Sequence, residues 1–347
     1  MKIFRHINIE DDSRKPKYIQ IVDSIIENIN DGNLSIGEKI PSINNLSEEF
    51  LISRDTVEKS YNILKKRKII TAVIGKGYYV TNKDPGRVKI LFLVNKLSSY
   101  KIKIFNAFSR TIGIHFNIAL RVYHCEESIF LDILEKSKGM FDMYVIMSHF
   151  KSENNQHLTA SKKVIQAIKR LPLNKIIFLD NLSYEFNMGV KGIYQDFEND
   201  IYNALADANE KILKYKSFFL VYPDNSLYPY PRRIVRGFSK FCFEYSLSFE
   251  IIDCVYDEMI LKKGDLFLTI EEEDLVNLIN LSKKNNLKLG KDIGVLSYND
   301  TTLKNLLGIS VVSTDFELMG EMLAELIQKN ENKLIKNQFN FIDRGSV

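Results

Sequence analysis

Ser53, Arg54 and Thr56 open the run SRDTVEKSYNILKK, so their polar side chains fall where a helix would begin. A helix start of this kind offers hydrogen-bond donors and acceptors to base edges and phosphates. Further on, Gly75-Lys76-Gly77 sets a cation between glycines, which let a backbone approach another chain closely. Signals for other chemistry are weaker. The five histidines show no His-x-x-His or His-Glu-x-x-His spacing, so no metal is expected. Gly75-x-Gly77 is too short to cradle a phosphate. Cys125, Cys242 and Cys254 lie far apart without pair spacing and read as buried thiols in a reducing compartment.

The elements that must position these residues follow from periodicity and caps. Pro16 introduces a helix with Tyr18, Val22, Ile25, Ile26 and Ile29 on one face, ended by Gly32. Ser42 is the natural N-cap of a second, short helix whose stripe is Ile43, Leu46 and Phe50. Ser53 caps a third, which buries Val57, Tyr61 and Leu64 and leaves Arg54, Asp55, Glu58, Lys59 and Asn62 outward. The segment 69–80, rich in β-branched and aromatic residues around its glycines, reads as a two-stranded hairpin wing. Two helices joined by a tight turn form a helix-turn-helix.

The pattern GEKIPSI..LS..F..SRDTV.K.Y..L...K.I....GKGYYV resembles the winged-helix domain of the gluconate-repressor (GntR) family of bacterial transcription factors. The resemblance covers roughly residues 14–80. It implies that Arg54 and Thr56 face DNA from the recognition helix and that Gly75 and Lys76 reach the minor groove or its phosphates. Ser42 and Ser53 are its caps. Asn44 stands where many members carry arginine, and Lys59 with the run 65–68 would supply compensating phosphate attraction.

After the linker 81–87, TNKDPGR, short apolar runs alternate with amphipathic helices: VKILFLVN, IALRVYH, DMYVIM, KIIFLD, SFFLVYP, FEIID, DLFLTI and IGVLSYN. Continuous apolar strands between helices indicate a parallel sheet covered on both faces, here divided into two doubly wound lobes. Ligands of such folds sit beyond the carboxyl ends of the strands. The loops there begin at Asn95, Ser148, Asp180, Tyr222, Glu271 and Tyr298, with Tyr100 and His149 as aromatics able to stack on a sugar ring.

The run LFLTIEEEDLVNLINLSKKNNLKLGKDIGVLSYND followed by ISVVSTDFELMGEMLAELI is similar to the effector domain of lactose-repressor (LacI) type regulators, which share the periplasmic sugar-binding-protein fold. That resemblance spans about residues 88–345. It implies that Asp180, Glu271 and Asn299 hydrogen-bond an effector, usually a sugar. The family's clamping arginine is replaced by Ile234, with Arg233 one step earlier. Either Arg233 serves, or the ligand lacks the group that arginine reads.

A formal net charge of +4 excludes a general polycation, so nucleic-acid binding must come from a local patch. No apolar run approaches a membrane span, and MKIFRHINIEDD lacks the apolar core of a secretion signal, so a cytoplasmic protein is expected. The expected fold is a winged helix-turn-helix (1–80) followed by a two-lobed periplasmic-binding-protein-like domain (88–347). The expected function is a homodimeric repressor of carbohydrate-use genes, without cofactor or enzymatic activity, that answers to a pentose or deoxyhexose. An enzyme fused to a DNA-binding head, or a C-terminal part that only dimerises, are the alternatives. Residues 88–347 show neither a Schiff-base lysine context nor a Ser-His-Asp ordering.

Overall fold

The computed structural model describes residues 7, 9–10, 13, 15–81, 88–113, 116–182, 186, 189–224 and 226–347. Of the expected linker only Thr81 is among them; 82–87 lie outside the described residues. The chain divides into two compact units, Met1–Arg87 and Val88–Val347.

In the first unit, helix α1 (Lys17–Asn30) buries Ile21, Val22, Ile25 and Ile29, while β1 (Lys39–Ile40) leads into α2 (Ile43–Glu49). The Ser42 hydroxyl accepts from the Asn45 amide at 3.2 Å, and the Ser53 hydroxyl accepts from the Thr56 amide at 3.2 Å to start α3 (Arg54–Lys66). Each cap satisfies an amide that the helix geometry leaves without a partner. Only Leu46 of the expected α2 stripe is buried; Ile43 and Phe50 lie half-exposed at its edge. Strands β2 (Ile70–Val73) and β3 (Gly77–Val80) form the wing, and β1 joins β3 to give three strands where the sequence suggested two. The Tyr61 hydroxyl donates to the Pro41 carbonyl at 2.7 Å and its ring meets Tyr78 edge-on at 4.8 Å, locking α3 against α2 and the wing.

The second unit has two lobes. The first builds β4 (Val88–Val94), α4 (Ser99–Ile112), β5 (Phe116–Val122), α5 (Glu127–Lys136) and β6 (Met143–Ile146). A small hairpin, β7 (Phe150–Lys151) and β8 (His157–Leu158), precedes α6 (Lys162–Lys169), β9 (Ile176–Asp180) and β10 (Lys191–Tyr194). The second lobe holds α7 (Phe197–Asp207), α8 (Asn209–Ile212), β11 (Ser217–Val221), α9 (Arg233–Glu244), β12 (Ser248–Ile252) and β13 (Asp265–Thr269). It continues with α10 (Glu272–Lys284), β14 (Gly294–Tyr298), α11 (Thr302–Leu306) and β15 (Ser310–Thr314). The chain then returns to the first lobe with α12 (Phe316–Gln328) and β16 (Leu334–Lys336), and ends in the second with β17 (Phe339–Ile342).

Each lobe therefore has a six-stranded sheet, ordered β16-β10-β9-β6-β4-β5 and β12-β11-β13-β14-β15-β17. The eight strands read from the sequence are a subset: β10, β15, β16 and β17 complete the sheets. Among the described residues only β17 is antiparallel to its neighbour in these two sheets, and the parallel strands are apolar because helices cover both faces. Gly320 of α12 lies so close to α4 that a Cβ would sit 2.3 Å from the Ile104 carbonyl oxygen, so glycine sets that helix contact.

The chain crosses between lobes at 195–196, at Asp315 and at 337–338. Asn337 ties these crossings together: its amide donates to the Tyr194 carbonyl at 2.8 Å, and its side chain donates to Thr314 at 3.0 Å and to the Asp315 carbonyl at 2.8 Å.

Candidate functional site

In the first unit, Arg54 is exposed at the first turn of α3, with Asp55 and Glu58 also exposed and Thr56 half-exposed. The Thr56 hydroxyl lies 2.7 Å from the Ser53 hydroxyl, so both belong to the cap. Lys59 is drawn over the Tyr18 ring, its amino group 3.9 Å from the centroid, which holds it toward α1. Ser42 and Asn44 are exposed at the start of α2. At the wing tip Gly75 takes φ +72, open to glycine without strain, and Lys76 and Ile74 are exposed beside it.

In the second unit the carboxyl ends of the strands converge on a cavity between the lobes, lined by residues that include Lys96, Tyr100, His149, Asp180 and Asn299. Asp180 ends β9 at φ +72, 2 % exposed. Its carboxylate lies 2.9 Å from His149 Nε2 and 3.5 Å from the Lys101 ammonium, and accepts a further bond from the Gln195 amide. His149 Nδ1 lies 2.9 Å from His157 Nε2. Burial pushes His149 down to about 4, with Lys101 adding to the effect, and lowers His157 in the same way, so both rings are neutral at pH 7. Burial works against the Asp180 carboxylate, but His149, Lys101 and Gln195 outweigh it and hold the group well below the usual carboxylate range. Lys101, also buried, donates to Asn95 as well, so the pocket's deepest charges compensate one another.

The other expected residues fall around this network. Tyr100 sits in the first turn of α4, its ring 4.8 Å from that of Phe316. Arg233 donates to the Asn181 amide oxygen and lies 5.1 Å from the Phe197 ring centroid, while Ile234 lines the cavity. Arg232 and Arg236 turn away to Asp224 and Glu198. Asn299, at φ +64, lines both this cavity and an adjoining one of about 400 Å³. Glu271 belongs to the second only, accepting from Ser226 at 2.9 Å, and Glu272, Glu273 and Asp274 form the first turn of α10, where acids complement the helix dipole.

Sequence reasoning missed Lys101, Gln195, Phe197, Tyr228 and Tyr230. Lys101 carried a signal, since it shares the apolar helical phase of Ile104, Phe108 and Ile112. From the second lobe, Tyr230 and Tyr228 place their rings 4.7 and 5.2 Å from the Lys96 ammonium, and Tyr228 reaches His124 at 3.1 Å. Burial, then the nearby Lys101, lowers Lys96 to about 8. These contacts bring the lobes together and reduce the cavity to about 30 Å³, room for a water or two. The described residues contain no cluster of His, Cys, Asp and Glu able to hold a metal, and no helix among them is long and apolar enough to cross a membrane. Cys125 and Cys242 are buried, but Cys254 is partly exposed, against the expectation of uniformly buried thiols.

Residues 17–80 match the family model of bacterial regulatory proteins, gntR family. Over 67 residues the chain is 42% identical to the uncharacterized HTH-type transcriptional regulator YdfD of Bacillus subtilis (strain 168), covering 19% of this chain and 14% of that relative. The chain thus spans about a seventh of that protein. A LacI family transcriptional regulator from Lactobacillus casei with bound glucose superposes at TM-score 0.57 and 13% identity, over 75% of this chain and 99% of that one. The lac repressor dimer bound to operator and the anti-inducer ONPF gives TM-score 0.56 and 14% identity, over 76% of this chain and 95% of that one. Residues 17–80 are a gntR-family domain, joined in one chain to a two-lobed unit with the fold of LacI-family regulators.

Proposed function

We propose that the protein is a ligand-responsive transcriptional regulator, a repressor of carbohydrate-use genes. Arg54 and Thr56 read base edges, with Ser42, Asn44, Ser53, Lys59, Gly75 and Lys76 on phosphates or the minor groove. The cleft between the lobes takes a monosaccharide, of the pentose or deoxyhexose class, through Tyr100, His149, Asp180, Arg233, Glu271 and Asn299.

One observation carries the ligand reading. Among the described residues Gln195 Oε1, the Tyr298 hydroxyl and Asn299 Oδ1 are buried without a hydrogen-bond partner, and all three residues line the closed cavity. Leaving buried polar atoms unpaired costs about 1–3 kcal/mol each. Neutral hydroxyls of a sugar would satisfy them, and the deepest charges beside them, Lys101 and Asp180, already pair with each other. A cavity of about 30 Å³ is too small for a sugar, so in this reading the lobes part at the crossings for entry and settle around the ligand less tightly than in this structure.

The protein acts as a homodimer in this reading, because one recognition helix reads too few bases for a specific site. The edge strand β12 and its flanks expose Phe243, Ile251, Tyr256 and Ile260, apolar surface suited to a second copy. Lobe closure would change the spacing of the paired DNA-binding units, and a coupling of about 1–3 kcal/mol would shift operator affinity roughly 5- to 150-fold. The reading is of a non-enzyme in the cytoplasm: buried Lys101 is held by Asn95 and Asp180 and is not free as a nucleophile.

Thermal unfolding against a monosaccharide panel tests the cleft. A ligand at one hundred times its Kd should stabilise the protein by about 2.7 kcal/mol. A flat response to every sugar, while the protein still binds DNA, would favour a unit that only dimerises.

A further inference from the structure

A second cavity, of about 620 Å³, lies between α5 and α6 in the first lobe. That size is within the range of roughly 300–1,000 Å³ typical of small-molecule sites. Tyr144, at the start of β6, and Lys175, just before β9, line it. The pairing of Ile90 with Met143 and of Tyr144 with Ile176 puts these strand starts at the edge where Val88 enters the sheet. The sugar cleft lies past the opposite ends of the same strands, at Asn95, His149 and Asp180.

The groove is apolar inside and basic at its rim. Leu131, Leu134, Phe141 and Leu171 supply the apolar walls. Lys138, Lys163, Arg170 and Lys175 surround them, against the single carboxylate of Glu135. Among the described residues none of these four cations forms an ion pair. Lys138 and Arg170 follow or cap helix C-termini, where the backbone dipole accounts for a cation. Lys163 does not fit that account. It stands in the first turn of α6, where the dipole disfavours positive charge and no acidic residue offsets it.

We propose that this groove is a second ligand site, which takes a small amphipathic carboxylate with its apolar body between α5 and α6 and its carboxylate among Lys163, Arg170 and their neighbours. Charge complementarity selects the anion, and the apolar walls select the body. A ligand there gives the regulator a second input, at the end of the lobe that receives the chain from the first unit, independent of the sugar cleft.

The test uses the full chain and the anionic fluorophore 1-anilinonaphthalene-8-sulfonate, displaced by decanoate. One saturable site is expected, emptied by decanoate and far less by decanol. The double substitution Lys163→Glu, Arg170→Glu should weaken both fluorophore and decanoate at least tenfold while the unfolding temperature stays unchanged. The milder pair Lys138→Gln, Lys163→Gln should weaken them less. Binding within twofold of the native protein in both pairs would overturn the proposal. So would equal displacement by decanol, or displacement by an acidic amphipathic peptide but not by decanoate, which would make the groove an apolar patch or a protein-docking face.

Discussion

Arg233, in the first turn of α9 in the second lobe, donates to the side-chain oxygen of Asn181, which follows β9 in the first lobe. The bond spans the cleft. Asn181 in turn donates to the Ser148 carbonyl at 2.6 Å, so the guanidinium is anchored to the loop that carries His149. Arg233→Ala should therefore weaken effector binding about tenfold or more, since a hydrogen bond to a charged group contributes about 1.5–3 kcal/mol. Operator affinity without effector should hold. Calorimetric titration of the effector checks this, and an unchanged Kd would remove Arg233 from the site.

Asp180 accepts from His149 and Gln195 and pairs with the Lys101 ammonium, so its charge holds the pocket together. Its left-handed φ makes asparagine the informative replacement, because asparagine tolerates that conformation and alanine adds strain. Asp180→Asn leaves Lys101 buried without a counter-ion, which costs about 3–5 kcal/mol. We expect a lower denaturation midpoint for the second unit and loss of the effector response. Retention of the full response would show that Asp180 serves structure alone.

Buried His149 predicts a pH dependence. Its folded value of about 4 lies below the ordinary 6.5, so between these values the unfolded chain binds more protons and stability rises with pH. Acidification from pH 7 to 5 should cost about 2 kcal/mol from this group. The depressed Asp180 contributes above the ordinary carboxylate value and is lost only at lower pH. Urea unfolding at both pH values measures the difference, and His149→Gln should reduce it, leaving the part due to the likewise depressed His157. An equal slope in the variant would assign the dependence to other groups.

For the DNA-binding unit, Arg54→Ala should reduce specific operator affinity by roughly 10- to 100-fold, the scale of a lost base contact. Arg54 is exposed and unburdened by packing, so the fold and sugar binding should be unaffected. Fluorescence anisotropy with a duplex selected from random sequences by the native protein reads the effect. Loss of affinity equal on specific and random duplexes would demote Arg54 to a phosphate contact.

How far these features could be read in advance depended on how local their causes are. Ser42 and Ser53 announce their helices because a cap is a contact between residues three apart. Strand β10 escaped notice because Gly192 interrupts it, and the reason lies in the neighbouring strand: a Cβ there would fall 2.1 Å from the Phe178 carbonyl oxygen. Missing β10 hid Gln195 at its end. Strands β16 and β17 join sheets built from distant segments, so nothing local to them names their partners. Tyr228 and Tyr230 reach the pocket from a loop rather than a strand end, beyond where the fold rule directs attention.

The central claim is that closure of the cleft on a sugar controls DNA binding, and one titration addresses it directly. Operator affinity of the full-length protein is measured with and without a monosaccharide that raises its unfolding temperature, alongside Asp180→Asn. The account predicts a shift of about 5- to 150-fold in the native protein and none in the variant. Equal operator affinity with and without a demonstrably bound sugar would contradict it.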